Sequence, residues 1–484
     1  MSDIGLQPAH ALAKAIKRRE LSSRELLEHY LTRVESLNPP LNAVVTLDPD
    51  GARIAADAAD ASLARGDDVG ALHGVPMTVK DTYQTAGMRT TCGLPAWDHV
   101  PDRDAEAVGR LRRAGAVIFG KTNTPTLAGD WQTYNAIFGT SNNPWDTARS
   151  TGGSSGGAAA AVATGMTALE LGSDIGGSIR FPASWCGVCG HKTTWGVVSQ
   201  AGHLPPAPGT LSTTDLAVMG PLARDVTDLE LAIGVLAGPA GHAAVGWRLK
   251  LPAPRATTLG DDLRLAFWLD DPAYPVDSEV SRVLAAAADA LHDAGARVVD
   301  ARPAVVLPDV VRLYQQFLYP ILLSTMDKRS FDNMVTLADS LSDEDDRPLA
   351  RTARFATQRY RDWVFASEKR EQLRALMAEY FAGVDALLMP VAMVPAIPHD
   401  HSEPFPERVI QVNGGLRPYT DLMAWVALAT LAHLPATVVP VGRTASGLPV
   451  GVQIVGPYLE DRTTLAVGRL IEEVLGGFVA PPGV

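Results

Sequence analysis

Apolar residues recur at helical spacing in "LSSRELLEHYLTRVESLN", where Leu26, Leu27, Tyr30, Leu31 and Val34 share a face, and Ser22 with Glu25 makes a capping-box pattern at its start. "NAVVTLD" then has the β-branched density of a strand, and "GARIAADAADASLARG" reads as an alanine-rich helix. From residue 71 to about 200 the pattern changes. Short apolar strands, "GVPMTVKD" and "AGAVIFGK", alternate with loops of Gly, Ser, Thr and Asn and with one small-residue helix, "GGAAAAVATGM". After the helix "DVTDLELAIGVLAG" (225–238), residues 240–260 read as loop. "LRLAFWLDD", "VDSEVSRVLAAAADALHDAG" and "ARVVD" form a strand, helix, strand unit that feeds a parallel or mixed sheet. Residues 309–385 are helical and richer in charge, which predicts a helical cap. The tail returns to strands with "DALLMPVAM", "PATVVPVG" and "PVGVQIVGP" and closes on a helix at 461–475. No repeat of roughly 20–50 residues is evident. The pattern predicts one large α/β domain over residues 1–484, with a central mixed sheet that is flanked by helices and completed late in the chain.

Composition narrows the function. The chain has 484 residues, 46% of them hydrophobic, enough for one large globular domain or two medium ones. The net charge is -12, and the only basic block is the short Lys17-Arg18-Arg19, so a nucleic-acid groove is not expected. The amino terminus lacks the apolar core of a secretory signal, and no run approaches about eighteen consecutive apolar residues. Three cysteines, Cys92, Cys186 and Cys189, cannot make a disulfide framework for a chain of this size. The expectation is a soluble cytoplasmic protein without membrane or nucleic-acid partners. "CGVC" lacks a second ligand pair, so Cys186 and Cys189 read as buried structural residues.

Two loops carry candidate chemistry, "STGGSSGG" (150–157) and "GSDIGGS" (172–178). Neither has the spacing of a phosphate-binding loop. Acyl transfer fits better, because it needs a nucleophile, a base for its proton and backbone donors aimed at an oxyanion. The glycines of "IGGS" let consecutive N–H groups turn toward one point beside the Ser178 hydroxyl. "GGSSG" also satisfies G-x-S-x-G, which would make Ser154 the nucleophile, but that motif needs a strand before it and "NNPWDTARST" reads as loop. The eleven histidines are scattered. Lys80, Lys121 and Lys192 sit against apolar strands or Gly-rich turns, and a lysine taken out of water can be a neutral base. The plainer reading of each is a strand-end lysine reaching solvent. Lys80, in the most apolar run and followed by Asp81, ranks first.

"GGSSGGAAAAVATGMTALELGSDIGGSIRFPASWCGVCGHKTTWG" resembles the signature stretch of the amidase signature family, serine hydrolases with a Ser-Ser-Lys triad. "LHGVPMTVKD", "GAVIFGKTNTP", "FGTSNNPWD", "GPLARDV", "LPATVVPVG" and "GLPVGVQIVGP" resemble further family landmarks in family order, over roughly residues 5–475. The resemblance implies Ser178 as nucleophile, Ser154 as bridging serine joined to Gly153 by a cis peptide, and Lys80 as base. It implies an oxyanion hole from the N–H groups of Ile175, Gly176, Gly177 and Ser178, with Ser155, Asp174 and Arg180 supporting the loops. It places Ala128, Gly129, Asp130 and Trp131 near the substrate, with 310–326 and 411–425 as further walls. The implied reaction is hydrolysis of a small, linear carboxylic amide by water through a Ser178 acyl-enzyme, with neither metal nor organic cofactor. Alternatives are the glutaminase A subunit of a tRNA-dependent amidotransferase, and a non-catalytic binding protein on the same fold. An exposed apolar face on the N-terminal helices would suit a homodimer.

Overall fold

The computed structural model describes residues 3–260, 263–342 and 344–484. In chain order its strands are β1 (Val44–Leu47), β2 (Pro76–Lys80), β3 (Val117–Thr122), β4 (Tyr134–Asn135), β5 (Gly139–Thr140), β6 (Leu169–Asp174), β7 (Cys189–Lys192), β8 (Val218–Ala223), β9 (Arg264–Phe267), β10 (Arg297–Val299), β11 (Ala386–Pro390), β12 (Val409–Val412), β13 (Gly415–Pro418), β14 (Ala436–Arg443) and β15 (Pro449–Val455). Eleven of them build one sheet, in the order β1-β3-β2-β6-β8-β7-β14-β15-β11-β9-β10. The sheet is mixed, as expected. β3, β2 and β6 run parallel, as do β11, β9 and β10, while the strands between pair antiparallel. The pairs β4–β5 and β12–β13 stand apart as small hairpins.

Strands β2, β3, β6, β7, β8, β11 and β15 are buried along their whole length. Both faces of the sheet are therefore covered, which is why these segments read as continuous apolar runs rather than alternating ones. The coverage is visible at β14. A side chain added at Gly451 would meet Val438 and Ser184, whereas one added at Gly468 would meet Thr437 and Val439. The helix Arg180–Cys186 thus lies on one face and the helix Asp461–Leu475 on the other. The small-residue helix Gly156–Ala163 packs beside Arg180–Cys186 and lies over β6, β8 and β2.

The predicted strand, helix, strand unit is β9, the helix Ser278–Asp293 and β10, with the two strands adjacent and parallel. The capping box forms: Ser22 accepts from the Glu25 amide while the Glu25 carboxylate accepts from the Ser22 amide. The predicted cap is four helices, Leu307–Leu322, Lys328–Ser340, Pro348–Ala356 and Tyr360–Gly383. Within 240–260 only one short helical turn, Ala243–Gly246, interrupts the loop. One expectation fails. The helices Ala9–Lys17 and Ser23–Leu37 bury their apolar residues against β2 and neighbouring helices, so they offer no exposed apolar face for a second copy. No helix of the described residues is long and apolar enough to cross a membrane.

Candidate active site

Three segments converge at the carboxyl ends of β2 and β6. Lys80 is the last residue of β2, Ser173 and Asp174 end β6, and Ser154 and Ser155 lead into the helix Gly156–Ala163. The stretch before Ser154 forms only isolated bridges, Asn142 with Ser150 and Arg149 with Pro398, so the strand that a nucleophile elbow requires is missing. The Gly153–Ser154 peptide is cis. A side chain at Gly153 would strike Asp130 O at 2.4 Å and the Gln132 amide at 2.9 Å, so the loop through Asp130 and Trp131 lies directly against this peptide.

Lys80 Nζ donates to Ser154 Oγ at 2.7 Å and to Ser173 Oγ at 3.1 Å. The amine is fully buried, and burial pulls its pKa down to about 7 against the opposing pull of Cys92, Asp174 and Glu170. The solvent-reaching alternative fails for all three candidate lysines, since Lys121 and Lys192 are buried as well. Lys121 ties Tyr83 O (2.6 Å), Thr90 Oγ1 (2.9 Å) and the Asp81 carboxylate (3.5 Å), and Lys192 ties Thr193 O (2.9 Å).

The turn between β6 and the helix Arg180–Cys186 is built around Asp174. Its carboxylate accepts from the amides of Gly177 (2.9 Å), Ile179 (3.0 Å) and Arg180 (3.3 Å). Arg180 adds Nε (3.1 Å) and Nη2 (2.9 Å) in a fully buried ion pair. Burial works against an ionised Asp174, but Arg180's charge and these hydrogen bonds hold its pKa at about 2. The guanidinium's other donors reach Val426 O (3.0 Å), Gln453 Oε1 (3.2 Å) and Thr430 Oγ1 (2.7 Å). Ser178 O accepts from the Ser155 amide at 3.0 Å, and Ser155 Oγ donates to Ser173 O at 3.3 Å, which locks the two serine loops together.

Gly177 has φ +96, in the left-handed region, and a side chain there would strike the Phe181 ring at 2.4 Å. This conformation hands its N–H to Asp174, so the Gly177 amide, expected to face the oxyanion with three others, is already engaged. The amides of Ile175, Gly176 and Ser178 have no acceptor among the described residues. The carbonyls of the turn are pinned outward: Trp131 Nε1 donates to Gly176 O and Tyr314 OH donates to Ile175 O, each at 2.7 Å.

Of the loop residues expected near the substrate, Ala128 and Gly129 lie on the turn leading into Asp130, with Ala128 at φ +53. Trp131 packs edge-on to Tyr419 (5.3 Å between centroids) and against Phe405 (5.8 Å). Asp130 accepts from Tyr419 OH (2.7 Å) and from Arg408 Nη1 (2.6 Å). Arg408 is buried and also donates to Glu403, Tyr134 OH and Ser402 O. Of the two further wall segments, 310–326 supplies Tyr314 and 411–425 supplies Tyr419. Sequence reasoning missed Ser173, although it lies inside a quoted loop, and it missed Arg408, Thr430 and Gln453, which arrive from far along the chain. Cys186 and Cys189 are buried free thiols.

The family model described as Amidase matches residues 25–465. Among curated proteins, the chain is 31% identical to the A subunit of the glutamyl-tRNA(Gln) amidotransferase of Bdellovibrio bacteriovorus, over 97% of each chain. A crystal structure of an amidase superposes with TM-score 0.78 at 29% identity, covering 97% of this chain and 100% of that one. A bacterial aryl acylamidase of the amidase signature enzymes superposes with TM-score 0.80 at 25% identity, covering 97% and 96%.

Proposed function

The chain belongs to the amidase signature family of amide hydrolases, and from that premise we propose that it hydrolyses the C–N bond of a small, linear carboxylic amide through an acyl-enzyme on Ser178. The observation that carries this reading is the buried Lys80 amine, 2.7 Å from the Ser154 hydroxyl, beside a turn whose Ile175, Gly176 and Ser178 amides have no acceptor among the described residues. A lysine near pH 7 in its titration can be neutral in the working enzyme, and its lone pair then accepts from the same hydroxyl.

In the proposed sequence, Ser178 Oγ attacks the substrate carbonyl carbon and passes its proton to Ser154 as Ser154 passes its own to Lys80. The carbonyl oxygen becomes an oxyanion, received by the amides of Ile175, Gly176 and Ser178 rather than by all four expected donors. When the C–N bond breaks, Lys80 returns its proton through Ser154 to the leaving nitrogen. Water then repeats the attack on the acyl-enzyme, restores Ser178 and releases the acid. In the substrate loop, the charges of Asp130 and Arg408 satisfy one another, which leaves the rings of Trp131, Phe405 and Tyr419 as its apolar component. This supports an aryl or aliphatic acyl group.

The similarity to amidotransferase A subunits favours a second reading, glutamine as amide donor to a partner complex. One experiment separates the readings. The protein is incubated with a fluorophosphonate, adducts are mapped by mass spectrometry, and a panel of aryl amides, aliphatic amides and glutamine is assayed. The expected result is an adduct on Ser178 that is lost in Ser178→Ala and Lys80→Ala, with turnover of aryl or aliphatic amides exceeding that of glutamine. Glutamine as the preferred substrate would select the second reading. An adduct on Ser154, or neither adduct nor turnover, would overturn the proposal and, in the latter case, restore the binding-protein alternative.

A further inference from the structure

Glu170, in β6, is fully buried and has no part in the proton relay just described. In the sheet it pairs with Thr78 of β2, and Thr122 of β3 pairs with Lys80. Thr78 and Lys80, two residues apart on one strand, point to the same face. Glu170 therefore stands on the lysine's own face of the sheet, and its carboxyl reaches across β2 to Thr122 on the far side of that strand. Its carboxyl accepts the Thr122 hydroxyl and, at 3.3 Å, the Leu171 amide, and no lysine or arginine forms an ion pair with it among the described residues. The helix laid over this face, Gly156–Ala163, brings only Gly, Ala and Val. A carboxyl that is dry and has no cation partner resists ionisation, and burial pushes Glu170 up to about 8.

We propose that Glu170 is a positioning residue for Lys80: a buried carboxyl anchored on Thr122 that competes with the amine for one proton over the same pH range, its ionised form holding that proton on the lysine. The inference rests on the reading of Lys80 given above. An ionised Glu170 would stabilise the ammonium and hold a proton on the base, whereas a neutral one leaves the amine free.

The other ionisable groups facing the pair do not substitute for it. Asp174, further along β6, is neutralised by Arg180. Cys92, in the turn following β2, is kept protonated by burial. His203, paired with Tyr83 just past β2, is kept uncharged by burial, which brings its pKa to about 3. Asp81 and Lys121 answer one another on the opposite face. Tyr83 is raised well above its ordinary range by burial. Glu170 is thus the carboxyl without an ion pair among the described residues, with the more distant charge of Lys121 acting on it.

The test is the pH dependence of kcat/KM, and of the rate of fluorophosphonate labelling of Ser178, for wild type, Glu170→Gln and Thr122→Val. Gln keeps the shape of the neutral carboxyl and cannot ionise. Val removes the hydroxyl that favours the carboxylate. The expected result is an acid limb displaced toward lower pH in both variants, by about half a unit or more in Glu170→Gln, with wild-type rates retained on the plateau. Superimposable profiles would overturn the proposal while leaving the Lys80 reading intact, because that reading is judged by Lys80→Ala. Loss of rate at every pH in a Glu170→Gln protein that melts like wild type would also overturn it. Should Glu170→Gln not fold, Thr122→Val alone decides: a limb that moves down supports the proposal, and one that stays put or moves up overturns it.

Discussion

Lys80 differs from the other buried lysines in what its amine touches. Lys121 meets a carbonyl, the Thr90 hydroxyl and a carboxylate, and Lys192 meets a carbonyl; carbonyl and carboxylate oxygens only accept, so they offer nothing to the lone pair of a neutral amine. The partners of Lys80 are two hydroxyls, which can donate as readily as accept, so the amine can lose its proton without stranding a buried group. Since the base form is the neutral amine and burial sets its pKa at about 7, kcat/KM is expected to rise as pH climbs through about 7. Lys80→Arg, which stays protonated, should lower kcat by about 10²–10⁴-fold at every pH. A profile flat into mild acid would remove Lys80 from the base role. The apolar run around Lys80 was enough to rank it first in the sequence. That all three lysines are buried was not legible, because strand periodicity does not say whether a strand end opens to water or under another segment.

At the scale of elements, the oxyanion turn is shaped by two side chains on different supports. Trp131 reaches Gly176 O from the loop beside Gly153, and Tyr314 reaches Ile175 O from the cap helix Leu307–Leu322. Tyr314 pins the Ile175 carbonyl and so orients the Gly176 amide on the far side of that peptide plane, while Trp131 pins the Gly176 carbonyl and so holds the Gly177 amide toward Asp174, which sets the turn. The cap is thereby part of the site's geometry as well as its roof. Trp131→Phe and Tyr314→Phe should each lower kcat by about 2- to 10-fold, the worth of one hydrogen bond, with a smaller change in KM, measured by steady-state amide hydrolysis. A change confined to KM would assign the two residues to substrate contact instead. The small-residue run "DIGGS" announced a turn whose backbone matters, yet it could not show that Gly177 surrenders its N–H to Asp174. That depends on the φ of a single glycine and on where Arg180 anchors the carboxylate.

Across the whole molecule, the sheet's order explains why the alternation of strands and helices was readable and the site's support was not. β2, β3 and β6 come from the first half of the chain, but β7 pairs with β14, a contact that joins that half to the chain's end. Local pattern identifies such strands without saying which will meet. Asp461, at the start of the last helix, fastens this closure. Fully buried, it accepts from the Thr194 amide (2.8 Å), the Thr194 hydroxyl (2.8 Å) and His191 Nε2 (3.1 Å), all just after or within β7. Burial opposes its charge, but the His191 and Thr194 contacts bring its pKa below the ordinary carboxylate range. A carboxylate lowered on folding contributes stability above its unfolded pKa and loses it as pH falls through the folded value. Asp461→Ala should therefore destabilise the protein at neutral pH by about 3 kcal/mol or more, because it strands three buried donors. Asp461→Asn, which keeps one acceptor oxygen, should cost less. Urea unfolding followed by intrinsic fluorescence at pH 7 and in mild acid would check both, and the gap between wild type and Asp461→Asn should narrow on acidification. A variant that unfolds with wild type at both pH values would assign the closure to strand pairing alone, with the Asp461 contacts following from it.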